Sequence, residues 1–126
     1  MPSREEHLAQ AARNEALAQQ LVAMGEAGWA ITGLFYAALH LIQAYLVQVG
    51  PAPVNHQKRA VSIAATVELA RVVDPYRLLK ALSENARYDC RAFSPEQFEE
   101  VRRTRYQPIV EHLNSLNEEP EDDGQT

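Results

Sequence analysis

From Trp29 to Val49 the chain carries no Asp, Glu, Lys or Arg, and almost every side chain there is apolar or only weakly polar. Few structures can shelter such a stretch. A helix that is apolar nearly all round is either the buried centre of a bundle or a membrane span. The length of ~18 or more residues that a span requires is met. However, His40, Gln43 and Gln48 would each be costly in lipid, and no basic cluster flanks the segment. The stretch is therefore expected to be the core helix of a bundle, with no membrane as partner.

Helix signals on either side of it agree. Ser3 and Glu6 have capping-box spacing, and Leu8, Ala12, Leu17, Leu21 and Met24 recur at helical intervals until Gly25 and Gly28 interrupt them. This predicts a first helix ending near Ala23. After a turn at Gly50, Pro51 and Pro53, Asn55 caps a third helix predicted to run to about Val72, with Ile63, Ala64, Val67 and Ala70 facing inward. Asp74 as cap and Pro75 at the first helical position predict a fourth helix through Leu78, Leu79 and Leu82 to about Tyr88. Ser94, Pro95 and Gln97 open a fifth through Phe98, Val101, Ile109, Val110, Leu113 and Leu116. Pro108 inside it removes a backbone donor, so a kink is expected within a turn of Thr104.

No alternating β pattern, internal repeat or Gly-rich phosphate loop appears. The expected fold class is all-α, an antiparallel up-and-down bundle of four to five helices forming one domain over residues 1–117. Residues 118–126 read as an acidic, disordered tail.

The net charge of −5 is unevenly spread. Between Lys58 and Arg105 there are ten basic and seven acidic residues, a net +3, whereas Tyr106 to Thr126 holds six acidic residues and no Lys or Arg. A basic face is thus compatible with an acidic chain. The single cysteine, Cys90, excludes an internal disulfide and a cysteine-based zinc cluster. With a polar start at Ser3 to His7 and no signal-peptide pattern, a cytoplasmic setting is expected.

Three polar clusters stand out. Tyr36 and His40, four apart, share one face of the apolar helix; His56 and Arg59 share a face at the start of the next; Arg87, Tyr88, Asp89 and Cys90 close the fourth, after Ser83 and Asn85. Polar groups on a buried helix need partners or cost ~1 to 3 kcal/mol each. Arg59 and Arg87 could supply them. Tyr36, His40, His56, Arg59, Arg87 and Tyr88 together would form a cationic, aromatic pocket able to take phosphate and stack a base. The alternative is a hydrogen-bond network that only fixes helix register.

The string Phe35-Tyr36-Ala37-Ala38-Leu39-His40, continuing through Gln43, Ala44, Tyr45 and Leu46, resembles the second-helix signature of prokaryotic HEPN-domain proteins. Asn55-His56 with Arg59 resembles their His-x-x-Arg, and Ser83 through Arg87-Tyr88-Asp89 resembles their Ser-x-x-x-Arg-Tyr. The resemblance spans about residues 28 to 95. It implies a small helical bundle, often a homodimer, binding RNA or a nucleotide. A nucleotidyltransferase-type antitoxin as partner, in a toxin–antitoxin or defence system, is implied as well.

Some members of that family are metal-independent ribonucleases built on an arginine, a polar residue and a histidine after four to six intervening residues. Arg87 lacks such a histidine, because residues 92 to 94 are Ala, Phe and Ser. Arg105 and His112 do have the spacing, although Tyr106 stands where the polar residue belongs. They are the candidate catalytic pair, with arginine holding the phosphate and imidazole moving the 2′-hydroxyl proton. Alternatively, the domain is a non-catalytic module that docks a partner or a second copy. No cofactor is implied. The histidines at 7, 40, 56 and 112 show no metal-ligand spacing, so no metal site is expected.

Overall fold

The computed structural model describes residues 2–50 and 55–117, and among these the regular secondary structure is entirely helical. The helices are α1 (Arg4–Ala23), α2 (Ala27–Val49), α3 (His56–Ala65), α4 (Val73–Tyr88), α5 (Pro95–Val101) and α6 (Gln107–Asn117). A 3₁₀ helix (Val67–Val72) leads into α4, and a π-helical turn (Arg102–Tyr106) joins α5 to α6 without a break. The predicted acidic tail and the Pro51–Pro53 turn lie outside the described residues.

α2 is the spine. Ala30, Ile31, Leu34, Ala37, Ala38 and Ile42 are fully buried, and α1, α4, α5 and α6 all pack against it. It is the one helix among the described residues long and apolar enough to cross a membrane, but 67% of its most apolar window is buried inside the fold. Its apolar surface is therefore spent on neighbouring helices. Removing a large buried side chain such as Leu34 by alanine substitution typically costs ~2 to 5 kcal/mol.

Pairing is antiparallel on both sides of the spine. On α1, His7 meets His40 while Ala18 meets Gly33. On α4, Phe35 packs on Tyr76 while Gly28 faces Ala86. The α1–α2 turn is closed by Gly25 at φ +85, a backbone conformation that suits glycine.

The predicted caps of the first, third and fifth helices are present: Ser3 with Glu6 and Ser94 with Gln97 form full capping boxes, and the Asn55 side chain accepts from the Lys58 amide. Other expectations are corrected. The buried residues of α1 are His7, Ala11 and Ala18, whereas Leu17 and Met24 are exposed. Close approach to α2 favours small side chains there, so Leu17 and Met24 lie outside while Leu21 packs against the edge of the core.

α3 stops at Ala65, where Thr66 takes an extended conformation and its hydroxyl donates back to the Ser62 carbonyl. Ala64, still in α3, is exposed, and the 3₁₀ segment that follows changes the period, burying Leu69 and Val72 and leaving Val67 and Ala70 exposed. Asp74 is not a cap. The chain enters α4 already helical from the 3₁₀ segment, which places Pro75 in the first turn, where its missing donor costs nothing.

The disturbance expected from Pro108 takes the form of the π turn. The Gln107 amide donates to the Arg102 carbonyl, one residue further back than in an α-helix. Widening the turn ahead of a proline relieves the clash with the carbonyl four residues earlier. The same turn carries Tyr106 into the core, where its hydroxyl donates to Glu15 Oε1 at 2.7 Å and ties the last rod to α1.

A Cβ added at Gly33 would lie 3.2 Å from the Ala18 Cβ and 3.4 Å from the Asn14 carbonyl oxygen. Both are fixed to the α1 backbone, so relief requires moving the helix. Gly33→Leu should cost ~1 to 3 kcal/mol by overpacking. Gly33→Ala should fall nearer neutral, because ~1 kcal/mol of helix propensity offsets the tighter contact. Urea denaturation of the two variants checks the order, and equal stability would show that α1 does not pack as described.

Candidate functional site

The spine presents Tyr36, His40 and Gln43 along one side, at the helical interval of four and three residues that keeps them on one face. Each meets a group from another helix. Arg87, on α4, donates from Nη1 to the Tyr36 hydroxyl at 3.1 Å, from Nη2 to Ser83 Oγ at 3.1 Å and from Nε to the Ser83 carbonyl at 3.2 Å. Its guanidinium carbon lies 5.7 Å from the centre of the Tyr36 ring and 5.0 Å from that of Tyr88. Ser83 is fully buried. The serine thus fixes the arginine from below while two phenol rings flank it.

Arg59, on α3, donates from Nε to Gln43 Oε1 at 3.2 Å and from Nη1 to His56 Nδ1 at 2.8 Å. It also lies against the Tyr76 hydroxyl, holding the phenol's pKa down against the larger upward push of burial. Among the described residues neither Arg59 nor Arg87 forms an ion pair. The nearby acid, Glu84, is taken by Lys80 at 2.8 Å. Both guanidiniums are therefore positioned by neutral oxygen and nitrogen atoms, and Glu84 acts on Arg87 only through its field.

His40 departs from the expectation that an arginine would satisfy it. Its Nδ1 lies 3.0 Å from His7 Nδ1, and the rings are 5.2 Å apart. Only one of the two nitrogens can carry the proton. His7 Nε2 is buried without a partner. Buried donors without partners are rarer than buried acceptors, so the less costly arrangement has His7 donating to His40. The pair lines an open groove of about 700 Å³ with Pro2, Glu6, Ala9, Gln10 and Arg13.

His7 was missed in the sequence as a partner of His40. The signal was its place four residues before Ala11, on a stripe of small residues running parallel to the more conspicuous leucines.

Five of the six residues expected to form a pocket thus fall into two separate hydrogen-bonded groups. Tyr36, Arg87 and Tyr88 form one, and His56, Arg59 and Gln43 the other, while His40 reaches Arg59 only through its electrostatic field. Arg105 and His112 form no hydrogen bond with each other among the described residues. His112 donates from Nε2 to the Glu68 carbonyl at 2.7 Å, pinning α6 to the 3₁₀ helix. It lines a separate hollow with Arg71, Pro108, Glu111 and Ser115, and Arg105 does not contribute to that lining. Cys90 is exposed. Among the described residues no group of three or more His, Cys, Asp or Glu could hold a metal ion.

Burial, then the charge of Arg59, lowers the pKa of His7; burial, His7, Arg59 and Arg13 lower that of His40. Burial and the cations Arg59, Lys80 and Arg87 lower that of His56, against an opposing effect from Glu84. A histidine whose folded pKa is depressed binds protons more readily when unfolded, so acid favours unfolding. Stability should be level above about pH 6.5, the unfolded value, and fall as pH drops below it, before carboxylates titrate. Thermal melts between pH 7.5 and 5.5 test this, and replacing both His7 and His40 by Asn should flatten the decline. A melting temperature that rises as the pH falls would contradict the description of the pair.

No protein-family model matches the chain, and no curated protein matches it. Its functional reading rests on the geometry of these side chains.

Proposed function

We propose that this chain is a HEPN-like helical module that binds RNA or a nucleotide through the band formed by Arg59, Arg87, His56, Tyr36 and Tyr88. One observation carries the reading: Arg59 and Arg87 are each held in place by uncharged hydrogen-bond partners, and among the described residues neither is in an ion pair. An arginine kept for structure alone is commonly matched with a carboxylate, which compensates its charge as it leaves water. Two half-buried guanidiniums on one surface without such partners favour an incoming anion. Phosphate suits the planar fork of the guanidinium. The tyrosines flanking Arg87 add ring faces on which a base can stack.

The sequence resemblance names the same residues, which is why the proposal takes the family's RNA or nucleotide rather than another anion. A homodimer, a nucleotidyltransferase-type partner and a place in a toxin–antitoxin or defence system belong to the same proposal and stand with that resemblance. A catalytic step by Arg105 and His112 rests on their sequence spacing alone.

Fluorescence anisotropy with a labelled single-stranded RNA tests the reading. Arg59→Ala and Arg87→Ala should each weaken binding about tenfold, the equivalent of ~1.4 kcal/mol. Each should also reduce the slope of log K against log salt by ~0.7 for every phosphate of the single strand that is no longer neutralised. Arg103→Ala, at an exposed position of the π turn, should do neither. If the band variants bind as the parent does, or if the parent does not bind, the proposal fails.

A further inference from the structure

A small pocket opens between α3 and α4, lined by Ala60, Ile63, Val73, Tyr76, Arg77 and Lys80. Its volume is about 220 Å³, below the ~300 to 1,000 Å³ of sites that enclose drug-sized ligands. It therefore suits one flat ring system rather than a whole dinucleotide. Its apolar lining comes from Ala60, Ile63, Val73 and the Tyr76 ring. Of these Ile63 and Tyr76 are buried, so the floor is part of the packed core and keeps its shape. Tyr76 is further braced by Phe35, with ring centres 5.6 Å apart.

Two cations border this apolar slot, and one of them, Lys80, is paired with Glu84 at 2.8 Å. Arg77 is exposed and forms no ion pair among the described residues, and no acidic residue contributes to the lining. Tyr76 is also the link to the band, because its hydroxyl lies against Arg59. The pocket and the arginine band therefore meet at Tyr76, with Arg77 in the pocket lining and Arg59 acting on the tyrosine from the band.

We infer that the α3–α4 pocket receives the base of a nucleotide, or of one residue in a single-stranded RNA, while Arg59 and Arg77 take the phosphates on either side of it. This rests on the proposed reading of the band and names the part of the ligand that the band alone does not distinguish. The lining is mostly aliphatic and aromatic, so base contact there is by shape and apolar burial, with little reading of base edges. Purines, with more ring surface, should bind more tightly than pyrimidines. An apolar side chain of an acidic peptide would meet the same floor. The nucleotide is favoured because the cations continue past the pocket to Arg87, where two tyrosine rings flank the guanidinium.

The test compares adenosine 5′-monophosphate with ribose 5-phosphate by isothermal titration, on the parent protein and on Ala60→Phe. Ala60 is exposed, so the new ring can lie over the slot without entering the core. The parent should bind the adenosine compound at least tenfold more tightly than the ribose compound. Ala60→Phe should lose that advantage and keep its affinity for ribose 5-phosphate. Equal affinity of the two ligands for the parent, with labelled RNA still bound and sensitive to Arg87→Ala, would overturn the pocket and leave the band. Loss of all three interactions would remove both. Preference for an acidic peptide over the nucleotide, abolished by Ala60→Phe, would assign the pocket to a protein partner and overturn the inference.

Discussion

A guanidinium fixed by hydroxyl, amide and imidazole groups carries a charge that no hydrogen-bonded carboxylate offsets, and the proposed binding face of this protein depends on that property at two places. Arg87 is held by Ser83 and Tyr36, and Arg59 by Gln43 and His56. In each case one of the anchors is on the core helix. The spine thus does more than fill the interior. Its polar side chains, spaced at three and four residues, set the positions of charges contributed by α3 and α4. Tyr36 and Gln43 would be expensive to bury without these partners, so core packing and cation placement support one another.

The same face explains the histidine pair. α1 approaches α2 closely through Ala18 and Gly33, and this brings His7 onto His40 at the far end of the contact. Both imidazoles lie in the field of Arg59, which adds to burial in keeping them neutral. An uncompensated arginine therefore affects groups that it does not touch. Among the described residues Glu84 is bound to Lys80 and Glu15 to Tyr106.

Much of the fold was legible in the sequence. The uncharged run from Trp29 to Val49 identified the spine, and the Ser3, Asn55 and Ser94 caps identified three helix starts, because both signals are local. The failures were tertiary or depended on a change of helical period. The packed face of α1 uses alanines where leucines were expected, since the inter-helix distance is set by Gly33. Thr66 ends α3 early, and the following 3₁₀ segment turns Leu69 and Val72 inward in place of Val67 and Ala70. For the site, Tyr36 and Arg87 met as expected. The contact between His7 and His40 joins residues thirty-three apart, and no spacing rule could supply it. Arg105 and His112 had a favourable interval, but His112 is held by the Glu68 carbonyl and a π turn lies along the rod that joins the two.

Nitrogen-detected or Nε–Hε nuclear magnetic resonance of the arginine side chains tests most directly whether neutral partners hold these charges ready for phosphate. In the free protein the Arg59 and Arg87 signals should be dispersed, with slow guanidinium rotation and protection from solvent exchange, unlike exposed Arg103 and Arg105. On titration with single-stranded RNA, those two signals should move together and before any other arginine signal. Signals for Arg59 and Arg87 that are averaged like those of exposed arginines, or that stay still while RNA binds, would contradict the account.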